Sequence, residues 1–404
     1  MTNNKDKKVL NVPNLRFPEF IEEWKIVSLK DIAVVNPKSE PLQNKFFYID
    51  LEAVEKGELK KIQEILQEEA PSRAQRVISN NDILFQCVRP YQKNNYIHRV
   101  PNTSNIQWIA STGYAQIRTT ESPNYIYHLL NTDRFNRKVM VRCTGSSYPA
   151  INSEDLSTIH FYLSTDKKEQ CKIARLLDLL DERIATQNKI IEKYESLIQA
   201  ICETLIESEQ HKVELSFNDF GKPYSGLSGK SAEDFGNGWP YITYMNVYQN
   251  QIIDITDVGL VKINETEQQS VVRYGDILFT LSSETPDEVG MGAVYLGDAY
   301  PLYLNSFCFG VHITDESKIF PPFLAYYIST KSFRKAVFPL AQGSTRFNLQ
   351  KSNFMKKKFL FPTVEKQNKI YSVLKAYSDK LSIEKNIANL LCEQKSYLLR
   401  QLFI

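Results

Sequence analysis

EQCKIARLLDLLDERIATQNKIIEKYESLIQAICETLI, Glu169 to Ile206, contains neither proline nor glycine. Its apolar residues fall at Ile173, Leu177, Leu180 and Ile184, then at Ile191, Tyr194, Ile198, Ile201 and Leu205. The steps alternate between four and three residues, except for the seven that cross Gln187. This is a heptad seam, sustained well beyond what one turn of chance could give. At ~1.5 Å per residue, such a tract makes a helical rod of roughly 50 Å. A helix with one apolar stripe must bury it.

The pattern returns 197 residues later, at Ile370, Leu374, Tyr377, Leu381, Glu384, Ala388, Leu391, Lys395, Leu398 and Leu402. The second seam is poorer, with Lys395 where Ile198 stands in the first. Two such helices in one chain suggest that they bury each other. The alternative is that each packs on its own domain. The strict heptad period favours the pair, because domain-packed helices show a broader stripe. Gln187 and Glu384 put a polar residue at one repeat position in both helices. Such a layer either fixes register from inside the seam or sits at its solvated edge.

The helices are the ends of a larger repeat. Asn81-Asp82-Ile83-Leu84-Phe85 recurs as Gly275-Asp276-Ile277-Leu278-Phe279, 194 residues on. Tyr48-Ile49 recurs as Tyr241-Ile242. Tyr125 to Phe135 matches Phe323 to Phe333, and Gly145-Ser146-Ser147 matches Gly343-Ser344-Thr345, both 198 residues apart. Each match alone is weak, but they fall in one order at nearly one offset. The chain therefore reads as a first mixed domain at 1–168 with a polar tail at 1–12, and a long helix at 169–210. A second mixed domain at 211–368 and a second long helix at 369–404 complete it.

Each mixed segment carries short β-like runs. In the first they are Phe46 to Ile49, Ile83 to Phe85, Tyr114 to Ile117 and Ile159 to Leu163. In the second they are Ile242 to Val247, Ile277 to Thr280, Gly292 to Leu296, Phe307 to Ile313 and Phe359 to Phe361. Each also has one helical stretch, Pro123 to Val141 and Pro321 to Val337. The fold class expected is α+β: two tandem mixed domains separated by two long helices.

Composition bounds the function. Apolar residues are 42% and charged residues 24%, ordinary globular usage. No apolar run has the ~18 residues of a membrane span, and Met1 to Lys8 has no signal-peptide core. Six scattered cysteines form no C-x-x-C pair, which suits reduced thiols in the cytoplasm. The net charge of +2 does not advertise a polyanion partner, so nucleic acid would have to be met by local patches.

Catalytic patterns are missing. Gly226-Leu-Ser-Gly229-Lys230-Ser231 imitates a phosphate loop but has Tyr224 where the first glycine belongs. The five histidines form no metal-ligand spacing, and no nucleophile elbow or dinucleotide turn occurs. Pro286-Asp287 with Glu316-Ser317-Lys318 only loosely resembles a nuclease carboxylate–lysine set.

The residues together resemble the specificity (S) subunits of type I restriction-modification enzymes. The resemblance rests on Leu15-Arg16-Phe17-Pro18-Glu19-Phe20 followed by Trp24 and Leu29-Lys30-Asp31-Ile32. The two Asp-Ile-Leu-Phe runs, the two Gly-Ser-[Ser/Thr] turns, the helix entry Glu169 to Ile173, and Leu180-Asp181 with Ile184 complete it. The second copy keeps only part of the helix entry, as Lys366-Gln367-Asn368-Lys369-Ile370, and has Ser378 in place of Asp181. It implies a non-catalytic chain with two target recognition domains, each binding half of a split, asymmetric site in double-stranded DNA. The helices would form an antiparallel coiled coil that acts as a ruler. It implies assembly with two methyltransferase (M) subunits and with restriction (R) subunits. S-adenosylmethionine, ATP and Mg are expected on those partners, none on this chain.

A rod of that length exceeds the ~34 Å of one DNA turn, which suits half-sites about a turn apart. Candidate DNA contacts in the first domain are Arg89, Gln92, Lys93, Asn94, Ser146, Ser147 and Tyr148. In the second they are Ser282, Ser283, Ser344, Thr345, Arg346 and Asn348, with Lys356-Lys357-Lys358 as a phosphate candidate. Arg and Lys suit guanine edges, Asn and Gln adenine. The competing reading is a protein-interaction scaffold, two domains on a coiled coil with no DNA readout, which the near-neutral charge favours.

Overall fold

The computed structural model describes residues 11–99 and 106–404. The polar tail expected at 1–12 lies outside them except for its last two residues. By contacts the chain forms two compact units, one of Met1–Asn188 with Asn386–Ile404 and one of Lys189–Lys385. The long helices run Lys167–Glu207 and Val364–Gln401, so each contributes one end to each unit.

The first unit holds two four-stranded sheets. One runs in the order Gln63–Leu66, Lys45–Ile49, Gln107–Ser111, Ala74–Ile78, with its central pair parallel. The other runs Ala33–Val35, Tyr114–Thr119, Ile83–Gln86, Tyr96–Ile97 and is antiparallel throughout. A separate ribbon pairs Lys25–Ser28 with His160–Leu163 just ahead of the long helix.

The second unit repeats this plan. Gly221–Ser225, Cys308–Ile313, Ile277–Thr280 and Gly292–Val294 form the antiparallel sheet. Val258–Val261, Phe235–Ile242 and Tyr303–Leu304 form the other sheet, again with one parallel pair. The ribbon is Lys212–Ser216 with Lys358–Pro362.

The sequence matches have local physical causes. Ile83–Gln86 and Ile277–Thr280 are wholly buried strands. Each is entered by a tight turn whose preceding residue has positive φ, Asn81 at 69° and Gly275 at 85°. Asn and Gly tolerate that conformation best. The Asp82 and Asp276 carboxylates close the turns by accepting from the Ser79 and Arg273 backbone N–H, both at 2.8 Å. Each long helix carries a buried glutamine as its fourth residue. Gln170 accepts from the Ser122 N–H and donates to the Ser164 carbonyl. Gln367 accepts from the Phe320 N–H and donates to the Pro362 carbonyl. One residue per unit thus ties ribbon, short helix and long helix together.

Two expectations need correction. Pro123 to Val141 and Pro321 to Val337 are each two helices. They break where Thr132 and Thr330 cap a fresh start by accepting from the Phe135 and Phe333 N–H. Ile242 to Val247 is not one strand. Thr243 caps Tyr244–Gln249 as a helix, its hydroxyl accepting from the Asn246 N–H, and this overrides the β-branched, aromatic composition.

The seam runs antiparallel. In the first unit, Ile173 and Leu177 share one core with Leu398, Leu402 and Phe403, and Lys395 pairs with Asp181 at 2.5 Å. In the second unit, Ile198, Cys202 and Ile206 share a core with Ile370, Leu374 and Leu381, and Lys385 pairs with Glu195 at 2.7 Å. Every seam residue named from sequence is buried or half-buried. The same helix ends also pack on their own sheets and short helices, through Ala174 and Cys202 among others. The two alternatives for burying the stripes are therefore both realised. Gln187 and Glu384 are buried, not at a solvated edge, and Glu384 pairs with Lys380 at 2.7 Å.

The first unit adds polar anchors without a second copy. Glu169 is fully buried and accepts from Arg16, from the Trp24 indole at 3.0 Å and from Ser164. Its repeat position in the second unit is Lys366. Burial opposes ionisation of Asp178, but His128, Arg99 and Asn124 outweigh it and hold that carboxyl below its usual range.

Leu177 and Leu374 are fully buried, whereas Leu390 on the outer face is 56% exposed. Leu177→Ala and Leu374→Ala should each cost about 2–5 kcal/mol. Leu390→Ala should stay within about 0.5 kcal/mol. Urea-unfolding midpoints test the ranking; an outer-face loss equal to the inner ones would remove the seam from the account.

Candidate nucleic-acid interface

The loops that follow the two buried strands are built differently in the two units. In the first, Pro90–Gln92 makes a short 3-10 turn flanked by Arg89 and Lys93, both left-handed with φ of 54°. The Arg89 N–H donates to the Pro149 carbonyl at 2.8 Å, and Val88 bridges Ala150. This joins the 88–94 loop to the Gly145–Tyr148 turn. In the second unit the same joint is a small sheet of Ser282–Ser283, Phe347–Leu349 and Ala341–Gln342.

The Gly-Ser-[Ser/Thr] turns are one structure used twice. Gly145 has φ of 89° and Gly343 of 133°. A Cβ on Gly145 would lie 2.9 Å from the Tyr148 carbonyl oxygen, and one on Gly343 would lie 2.1 Å from that of Arg346. Only glycine fits the conformation and the space. Tyr148 and Arg346 are thereby presented at equivalent places, one aromatic and one cationic.

Each turn borders an open concavity. The first, of about 880 Å³, gathers Arg89, Gln92, Asn94 and Tyr148 with Arg73, Gln86, Glu52, Glu55 and Thr112. The second, of about 340 Å³, gathers Ser282, Ser283 and Arg346 with Tyr244, Met245, Tyr248, Glu284, Glu288 and Phe307. Arg89 lies over the Tyr148 ring, 4.4 Å from its centroid. In the second concavity Glu288 accepts from Tyr248 at 2.7 Å and from Ser283 at 3.1 Å. The Tyr248 bond chiefly holds its carboxyl below the usual range. Tyr244 and Tyr248 stack with centroids 6.0 Å apart, and Tyr244 donates to the Ser282 carbonyl.

Other candidates fall elsewhere. Lys93 is ion-paired with Asp133. Ser146, Ser147, Ser344, Thr345 and Asn348 are exposed on or beside the turns without lining the concavities. Lys358 pairs with Asp219 at 3.1 Å, while Lys356 and Lys357 are exposed. Lys230 of the phosphate-loop imitation is buried against Glu267. Sequence reasoning missed Tyr244, Tyr248, Glu288 and Phe307. Its misreading of 242–247 as a strand hid the two tyrosines, which helical spacing would have placed on one face.

The family described as Type I restriction modification DNA specificity domain matches this chain twice, at residues 21–196 and 225–393. No curated protein matches. Among solved structures, a chain from a study of complex assembly and conformational transition of the type I R-M system is similar. Its TM-score is 0.59 at 20% identity, over 93% of this chain and 96% of that one. The S subunit of a type-I restriction-modification system from M. genitalium gives a TM-score of 0.55 at 16% identity, over 97% and 99% of the two chains. Among the described residues no helix is long and apolar enough to cross a membrane.

The glycine turn is directly testable. Gly343→Ala should open the loop at a strain cost of about 1–3 kcal/mol and release Arg346. Limited trypsin digestion should then cleave after Arg346 faster than in the parent protein. An unchanged cleavage rate would contradict the steric reading.

Proposed function

The chain belongs to the family of type I restriction-modification DNA specificity subunits, and from that premise we propose that its units are target recognition domains reading the two halves of one asymmetric DNA site. What carries the proposal is the pairing of a duplicated framework with unlike concavities. The same turn offers Tyr148 in one unit and Arg346 in the other. A shared scaffold with different side chains at one place is what reading two different base sequences requires, because base contacts and not phosphate contacts carry sequence information.

The chain is itself non-catalytic in this reading. It works in the cytoplasm with two M subunits, which methylate adenine using S-adenosylmethionine, and with R subunits that use ATP and Mg. The paired long helices set the gap between the half-sites. Stiff helical pairing supports this, since seven residues change a helix by about 10 Å, a third of a DNA turn.

The test is to express the chain with M subunits and map adenine methylation across a genome. One bipartite motif with a fixed gap is expected. Removing one heptad from both long helices should change the permitted gap or abolish methylation. Random or absent methylation by the unaltered complex would instead support the scaffold reading, and an unchanged gap would contradict the ruler.

A further inference from the structure

The first concavity has a marked hydrogen-bonding polarity. Gln92 and Asn94 reach it with their amide oxygens already engaged. The Gln92 oxygen accepts from the Gln86 side chain at 2.9 Å. The Asn94 oxygen accepts from the Lys56 N–H at 3.0 Å. Gln86 is itself buried, and its own oxygen accepts from the Asn94 N–H at 3.0 Å. The group left wholly unengaged on both side chains is the NH₂, a donor only, while each oxygen has already spent one of its two lone pairs.

Arg89 adds a third donor. Its backbone is held left-handed between the Pro149 carbonyl and the turn at 90–92. A non-glycine residue keeps that conformation only where its surroundings impose it. Its guanidinium lies on the exposed Tyr148 ring, and no acceptor among the described residues takes its guanidinium N–H groups. The planar fork is therefore oriented before any ligand arrives, which lowers the entropy lost on binding.

The lining charges decide between phosphate and base. Arg73 and Arg89 are matched by Glu52 and Glu55. A balanced concavity gives no net pull on a phosphate. It suits a base edge, where geometry counts for more than field. Two adjacent acceptors facing an arginine fork are N7 and O6 of guanine. The carboxylates, carried on a different segment, suit the N4 amino group of the paired cytosine.

Resting on the proposed recognition role, we infer that Arg89, oriented by Tyr148 and flanked by the Gln92 and Asn94 amides, reads the guanine of a G·C pair in the half-site of the first unit. The second unit has no counterpart of this pair. Ser283 stands at the repeat position of Arg89 and Arg346 at that of Tyr148. The Arg89 contact thus belongs to the half-site of the first unit only.

The experiment is methylation mapping of the full complex with M subunits, comparing the parent chain with Arg89→Ala, Arg89→Lys and Tyr148→Ala. The parent motif should contain a G·C pair that all three variants read less strictly. Preference at that position should fall by about five- to a hundred-and-fifty-fold, the range of one bidentate contact, with every other position unchanged. Should Arg89→Ala methylate nothing, Arg89→Lys decides, because it keeps the charge without the fork. Relaxed preference at one position supports the inference. Unchanged base preference with uniformly weaker methylation marks a phosphate contact and overturns it. So does a parent motif whose variant-sensitive position is an A·T pair. A parent complex with no bipartite motif would instead fail the recognition role itself, so the two failures are distinguishable.

Discussion

Burial of two apolar helix stripes governs this molecule. Neither long helix can leave its stripe in water, and neither mixed segment closes its core alone. Each unit solves both problems by taking the start of one helix and the end of the other. The first core is completed by Leu398, Leu402 and Phe403 from the far end of the chain. The second is completed by Ile198, Cys202 and Ile206 beside Ile370 and Leu374. Several buried leucines and isoleucines per unit contribute here, a fully buried one about 1.5–3 kcal/mol. The ion pairs Asp181–Lys395 and Glu195–Lys385 lie at its partly exposed rim. Such pairs contribute little energy.

The polar framework shows what was kept as the copies diverged. Asp82 and Asp276 close the same turn, yet their other partners differ. Asp82 holds Gln116 and Arg118, whereas Asp276 holds Tyr224 and His312. A buried carboxylate must be satisfied, but several donors can do it. Gln170 and Gln367, by contrast, make the same bonds to backbone. That geometry is fixed by chain path and leaves no room for substitution. Divergence then concentrates where side chains face solvent, in the loops after the buried strands and around the glycine turns.

This explains how far the sequence could be read. The heptads were legible because apolar periodicity is imposed by burial, and the repeat was legible because turns with positive φ demand Asn, Gly and Asp. The Gly145 and Gly343 turns were visible for the same reason. The convergence of Arg89, Gln92, Asn94 and Tyr148 could be guessed only in part. It depends on a loop-to-turn joint, Arg89 to Pro149, that spans 60 residues. Tyr244 and Tyr248 were hidden because a single threonine cap turned a strand-like composition into a helix. Lys93 has a partner that its own segment could not show, since Asp133 sits on a helix 40 residues away. Local chemistry is written in local sequence; which side chains remain free is decided by tertiary partners.

The pairing of the seam is the claim on which the rest stands, and zero-length carbodiimide cross-linking of the intact chain followed by peptide mass spectrometry probes it most directly. Amide bonds are expected between Asp181 and Lys395 and between Glu195 and Lys385, with the within-helix pair Lys375–Asp379 as the internal standard. Recovery of the within-helix link without either interhelical link would contradict the antiparallel seam.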